Sequence, residues 1–573
     1  MDNQRLFLWT GLALVLFLNY QAWQHDYAPA AETPAAETPA AVTAPQPKGA
    51  APASGGSLSD ALPAVGMPPA SGAVAPAPAI DAAVGPASTP AAPAIHVRTD
   101  VLDLLVSTQG GEIRAAALPK YPREKDAPNE PVTLLTTDGP DAPSLFQWGL
   151  TGGGDGAEPN HKALFTAAAP AYTLADGQND LEVPLTWSDG AGLTVTRTMH
   201  LKRGSYAIEL DQHVANAGTT AWHGRGYAQI LRHWQKAERS MWNPATSSFR
   251  GPSIYNGKKY QKLDVDKPDP AQLPKTAITG GWAAAVQHHF VVAMVPDPAA
   301  PTEYRLDVQG SDFRLRIAGP AKEAVPGGSA DFKDTLFVGP KLQDQLAATA
   351  PELDRTADYG TYLTVLARPL FWMLAQVHRL VGNWGFTIII VTFLIKLCFY
   401  PLAQTSGRSM ARMRSLAPRM KAIQERYKDD REQLGKQMME LYKREKVNPL
   451  AGCLPIVVQI PVFIAFYWVL LESVEMRQAP FLLWVQDLSS KDPYFVLPAI
   501  MGAAMFGQYK LNPAPPDPMQ AKVFMFMPLV MTVMMAFFPA GLVLYWITNT
   551  GLSIAQQWRI NKLVEAEEKK PRS

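Results

Sequence analysis

Residues 384–402 read WGFTIIIVTFLIKLCFYPL and carry a single charge, Lys396. As a helix, an apolar run of that length covers the ~30 Å hydrocarbon layer of a bilayer. It predicts a span from about Trp384 to Leu402. Four similar runs follow: about Leu450 to Leu471, Tyr494 to Tyr509, Val523 to Phe538 and Leu542 to Trp558. Pro539-Ala540-Gly541 leaves room only for a tight turn, so the last two pair as an antiparallel hairpin. A sixth stretch, Leu6 to Trp23, follows only Asp2 and Arg5 and exceeds the usual signal-peptide core. Residues 1–27 are therefore expected to be an uncleaved transmembrane signal anchor. The pattern predicts a multi-domain chain with an α-helical polytopic membrane core of six spans, and it excludes a soluble enzyme.

Between the anchor and the other five runs the composition changes twice. Residues 28–94 contain 24 Ala and 14 Pro but only five charges, too little apolar bulk to offset ordering entropy. They are read as a flexible linker. Residues 95–350 alternate with period two. Leu193, Val195, Met199 and Leu201 fall on one face, with Thr194, Thr196, Thr198 and His200 on the other. After Lys202-Arg203-Gly204-Ser205 the alternation resumes at Tyr206, Ile208, Leu210 and Val214. Phe313, Leu315 and Ile317 likewise alternate with Arg314 and Arg316. Strand, turn and strand recur, which predicts a large β-sandwich. His288 and His289 are adjacent, and strand neighbours point to opposite faces, so no shared metal is expected there. The two cysteines, Cys398 and Cys453, lie in apolar runs and make neither a disulfide scaffold nor a zinc cluster.

Residues 351–382 turn helical. Tyr362, Leu366, Phe371, Leu374, Val377 and Val381 recur every three to five positions, and Arg368, Gln376, His378 and Arg379 interrupt them. This fits a helix in the membrane interface, with Trp372 at headgroup depth, or one packed to close the β-domain. Within 383–558, segment 406–446 is polar. Met413, Leu416, Met420, Ile423 and Tyr427 form one seam, and Leu434, Met438 and Leu441 a second. That is a helical hairpin whose first arm starts or kinks at Pro418.

Charge sets the orientation. Residues 407–446 hold twelve Lys/Arg against six Asp/Glu, and the tail 559–573 five against three. The loop 474–491 is balanced, with Arg477 and Lys491 against Glu475 and Asp487. Basic loops stay cytoplasmic, so both termini lie inside and the β-domain outside. The basic hairpin suits anionic lipid or ribosomal RNA, or serves only to enforce topology. A whole-chain charge of +1 argues against a dedicated DNA binder.

Candidate chemistry centres on Lys396. A lysine at the bilayer centre costs about 2.5–3.5 kcal/mol and usually faces a wet cavity, although this one also lies near enough to the surface to snorkel. Thr392 shares its face one turn earlier. Gln459, Gln508, Thr548 and Asn549 are further polar residues in other spans, each equally suited to an interhelical hydrogen bond. The central spans carry no Asp or Glu, and no nucleophile–base pair, HExxH or phosphate loop stands out. No covalent chemistry, cofactor or metal is expected. Eight of the 20 methionines lie between Met501 and Met535, as core filling or as a slide that adapts to many apolar partners.

Four segments carry a resemblance: NWGFT at 383–387, EKVNPLAGC at 445–453 with Pro455 and Gln459, VEMRQAPF at 474–481, and FPAGLVLYW at 538–546. Over about 350–560 the chain closely resembles the YidC membrane protein insertases of Gram-negative bacteria. The resemblance implies a non-enzymatic insertase and chaperone of the bacterial inner membrane. Such a protein moves nascent hydrophobic segments from the cytoplasm into the membrane, alone or with the Sec translocon. It further implies a five-span core around a hydrophilic groove that is closed toward the periplasm. Lys396 occupies the place of a family arginine at the groove's centre. Thr392, Gln459 and Asn549 look like groove-lining positions, and Trp546 stands where a tyrosine is common. Nascent membrane proteins, ribosomes and targeting factors are the implied partners. The residues alone also admit a polytopic transporter or channel with a periplasmic binding domain, or a membrane-bound glycan-modifying enzyme with a carboxylate pair in a β-domain cleft.

Overall fold

The alternating segments do form strands. The computed structural model describes residues 92–568, apart from 153–157, 237–245, 247, 361–362, 428–429, 446–453 and 512–517. The expected anchor, nearly all of the linker, the start of the second apolar run and the last five residues lie outside the described residues.

Two nine-stranded sheets share one apolar core. One sheet centres on Asp312–Ala324, Trp222–His233 and Ser144–Thr151, the other on Ser329–Pro340, Ala207–Asn216 and Leu193–Lys202. Pairing is antiparallel except where Ala94–Arg98 meets Ala171–Thr173. Leu210 faces Met199 and Val214 faces Val195, as the alternation requires. Trp148, Trp282, Phe146, Phe313 and Phe337 fill the space between the sheets.

Two details depart from the expectation. The inward face of Leu193–Lys202 includes Arg197, fully buried, directly opposite Gln212. The histidine pair sits in the turn between Trp282–Val286 and Phe290–Pro296, not within a strand. Strand alternation does not apply there, and the two rings stack at 3.8 Å. Burial pushes His288 down to about 3 and His289 well below the usual imidazole range, so both are neutral.

The remainder is helical: α1 Gln343–Thr349, α2 Thr364–Val381, α3 Trp384–Cys398, α4 Tyr400–Ser415, α5 Ala417–Arg426, α6 Arg431–Arg444, α7 Leu454–Glu472, α8 Val496–Leu511, α9 Pro518–Met535 and α10 Ala540–Glu568. Among the described residues no single helix is long and apolar enough to cross a membrane. The α3–α4 pair, taken to Met413, meets that test only jointly, bent by 70°. The apolar run 384–402 therefore breaks at Phe399. Pro401 explains the break, because it lacks an amide hydrogen and fits the first turn of a new helix rather than the interior of α3.

Local chemistry places α3. Gly382 closes α2 with φ 69°, and the Asn383 side chain caps α3 by accepting from the Phe386 amide. The same Asn383 donates to the carbonyls of Pro480 (3.3 Å) and Phe481 (3.2 Å). Gly385 lets Phe481 approach so closely that a β-carbon there would lie 2.0 Å from its ring. One face of α2, with Ala367, Leu370, Phe371 and Leu374, packs into the helical core, while Val365, Trp372 and Leu380 remain exposed. The segment read as a tail continues α10 to Glu568, and Ile560 and Val564 are buried against Ala411 of α4.

Candidate functional site

The helix packing brings four residues from three helices into one hydrogen-bonded line. Lys396, in the last turn of α3, donates from Nζ to Ser553 Oγ at 2.7 Å. Ser553 in turn donates to the Asn549 carbonyl at 2.8 Å. The Gln459 amide on α7 donates to Asn549 Oδ1 at 2.5 Å. Among the described residues Lys396 makes no salt bridge, so the Ser553 hydroxyl holds its ammonium with no compensating charge.

Beside this line lies a recess open to its surroundings. Ile395, Phe399, Leu402, Ala403, Val458 and Val462 form its apolar walls, and Lys396 and Gln459 supply the polar groups. A short polar strip in an apolar trough accepts an amphiphilic segment: charged or polar atoms against the strip, methylenes against the walls.

Of the five residues singled out in the sequence, three meet here: Lys396, Gln459 and Asn549. Thr392 is buried and donates back to the Ile388 carbonyl at 2.6 Å, as helix threonines commonly do, and it does not line the recess. Trp546 packs edge-on against Phe463 with ring centroids 4.7 Å apart and is not among the residues that line the recess. Thr548 likewise bonds to its own helix, at the Leu544 carbonyl. Ser553 was not singled out. Its signal is its place one turn after Asn549, on the same face of α10.

The polar segment between α3 and α7 forms α4, α5 and α6. Pro418 lies in the first turn of α5, just after the break at Leu416. Leu416, Met420 and Tyr442 are buried together, with Met413, Met438 and Leu441 against them. Ile423, Tyr427 and Leu434 lie outside that group.

Residues 376–568 match the family model described as 60Kd inner membrane protein, and residues 94–373 match the YidC periplasmic domain. The membrane protein insertase YidC of Nitrosococcus oceani is 45% identical over 99% of this chain and 100% of its own length. That of Pseudomonas putida is 43% identical over the whole of both chains. A crystal structure of an active YidC insertase, with its first transmembrane domain resolved, covers 81% of this chain and 94% of its own at 17% identity and a TM-score of 0.35.

Proposed function

The chain belongs to the YidC family of membrane protein insertases, and on that premise we propose how its helices move a client. It is an inner-membrane insertase rather than an enzyme, its β-rich region is periplasmic, and nascent membrane proteins are its clients. The observation that carries the mechanism is the line Lys396–Ser553–Asn549–Gln459 beside an otherwise apolar recess.

Lys396 is the attracting charge. A client's polar or acidic flank enters the recess and exchanges water for the ammonium, the Gln459 amide and the Asn549 side chain. Its desolvation penalty falls accordingly. Thr392 and Trp546 stiffen the wall behind these groups. The client's apolar segment then passes between α7 and α9 into lipid. Burial of ~20 apolar residues drives that step, so no nucleotide, metal or other cofactor is needed. The exposed apolar side of α9, including Phe524, Phe526, Leu529 and Val533, is the greasy path.

In this topology the anchor and five core spans cross the membrane, six in all, with both termini in the cytoplasm. The run 384–402, which is α3 and the first residues of α4, crosses as a span bent at Phe399. The basic hairpin 406–446 and the cytoplasmic end of α10 receive ribosomes, targeting factors and anionic lipid, and the Sec translocon acts alongside for some clients.

The test is insertion of a single-span client with an acidic translocated flank into proteoliposomes. Lys396→Glu is expected to slow it at least about tenfold, a change of about 1.4 kcal/mol. Wild-type insertion by that variant defeats the charge-attraction mechanism, and solute flux through the same vesicles points instead to a channel.

A further inference from the structure

Two of the conspicuous sequence segments, 383–387 and 474–481, meet at the outer end of α3 and build a turn that the mechanism above leaves unused. Asn383 and Gly385 seat Phe481 on the start of α3, and the Phe386 ring meets the Phe481 ring edge-on with centroids 5.3 Å apart. Beyond Phe481 the chain reverses. The Phe481 amide donates to the Val485 carbonyl at 2.9 Å, and the Val485 amide to the Leu482 carbonyl at 3.0 Å. Val485 and Leu488 are buried, Leu488 against Gly541 at the start of α10. Leu482 and Leu483 are instead 47% and 78% exposed. Two carboxylates hold the loop stiffly. Asp487 accepts the Gln478 amide at 3.0 Å, the Ser489 amide at 2.8 Å and the hydroxyls of Ser489 and Ser490, both at 2.7 Å. Asp492 accepts from Trp484 Nε1 at 3.0 Å and from the Leu497 amide of α8 at 2.7 Å.

The backbone here is also strained. Among the described residues four non-glycine positions take a left-handed φ, and three of them lie in this loop: Gln478 (56°), Leu483 (54°) and Phe495 (56°). In water Leu483 is a poor choice twice over, because glycine fits that backbone better and the side chain gains little burial. Contact with lipid offsets both costs. Phe386, Ile390, Phe393 and Leu397 are exposed and spaced four, three and four residues apart, which makes one apolar face of α3. The contact between Phe386 and Phe481 carries that face past the helix start to Leu482 and Leu483. We propose that the turn 481–485 is a lipid wedge: Leu482 and Leu483 enter the acyl region of the outer leaflet beside α3. Its partner is the bilayer itself, not another protein. The hydrogen bonds inside the loop satisfy polar groups that leaving water would otherwise strand. Because Asn383 and Gly385 bind the turn to α3, a wedge at fixed depth also sets the height of that helix. Lys396, ten residues after Phe386, then lies about 15 Å further in.

This inference rests on the topology proposed above, which puts the loop outside, and its test separates the two. An environment-sensitive nitrobenzoxadiazole label is placed at Leu483→Cys in the full chain, with Cys398 and Cys453 replaced by Ala, in proteoliposomes free of other proteins. The same label at Lys258→Cys, exposed in the β-domain, is the control. The Leu483→Cys label is expected to lose about half its emission to lipids carrying a nitroxide high on the acyl chain and to be protected from aqueous iodide, and the control to do the reverse. Leu482→Asp beside the label is expected to weaken the acyl-chain quenching about twofold, because a carboxylate keeps the turn in water. A label open to iodide and untouched by nitroxide lipid overturns the proposal, as does unchanged quenching in Leu482→Asp. A label shielded from both quenchers lies against protein, which overturns it as well. Sidedness is read separately from Lys491→Cys, exposed in the same loop, with an impermeant maleimide on spheroplasts. Reaction there with no lipid quenching at Leu483→Cys refutes the wedge alone, whereas reaction only after lysis refutes the topology and the wedge with it.

Discussion

Arg197 in the β-domain and Lys396 in the helices are each a lone cation among apolar side chains, yet they are bonded in opposite ways. The Arg197 guanidinium donates to Gln212 Oε1 at 2.9 Å, to the Gly110 carbonyl at 2.5 Å and to the Pro159 carbonyl. The ring of Phe165 lies 4.2 Å and that of Trp148 5.3 Å from its carbon. Burial lowers it to about 9, still protonated at neutral pH. Lys396 has one hydroxyl partner and borders an open recess. Counting fixed partners separates the two roles. A cation with a fixed acceptor for each of its three nitrogens holds the fold together, and one with a single hydroxyl partner has donors to spare for a passing ligand.

That contrast breaks most easily at Arg197. Arg197→Met leaves Gln212 Oε1 and the buried Gly110 carbonyl without their Arg197 donor and the Pro159 carbonyl with the Leu150 amide alone, and is expected to destabilise the β-domain by about 3–5 kcal/mol in denaturant unfolding. A loss below about 1 kcal/mol removes the distinction.

Glu475, between the two regions, sharpens it with a charge of the other sign. Burial, aided by Asp344, pushes its carboxyl up to about 7 from 4.5. Because the folded state holds the proton more tightly, this contribution to stability is complete below pH 4.5 and is lost as pH rises through 7. Thermal unfolding across that window is expected to show declining stability, and Glu475→Gln to flatten the decline.

The smallest effect on stability is expected at Lys396. Lys396→Met gives up one hydrogen bond at a partly open site, so unfolding should shift by no more than about 1 kcal/mol while client insertion falls. A shift as large as that of Arg197→Met makes Lys396 a structural residue instead.

Much of the fold was legible. The alternation at 193–214 sets the strand pair and its inward face, and the apolar runs after residue 383 became helices in the expected order. Arg197 escaped notice because period-two alternation assigns faces by neighbouring residues, and one charged side chain on the apolar side looks like an interruption. Arg314 and Arg316 show the complementary limit. They occupy the non-core face, yet both are buried, Arg314 pairing with Asp307 and Arg316 accepted by Gln229. At the site, Lys396 was conspicuous as the only charge in its run. Ser553 was not, because a serine on a helix is ordinary until a donor 157 positions away points at it.

Local sequence determined which segments become strands and helices, where Asn383, Gly382 and Pro401 start and stop them, and which apolar run holds a charge. These properties depend on neighbours within a few residues, through backbone geometry and hydrophobic period. Tertiary structure alone decided that Lys396 meets Ser553, that Gln459 meets Asn549, and that Lys341 and Glu472 share one buried joint. Those contacts join residues 90 to 157 positions apart, and only the packing of whole helices and sheets brings them within hydrogen-bond reach.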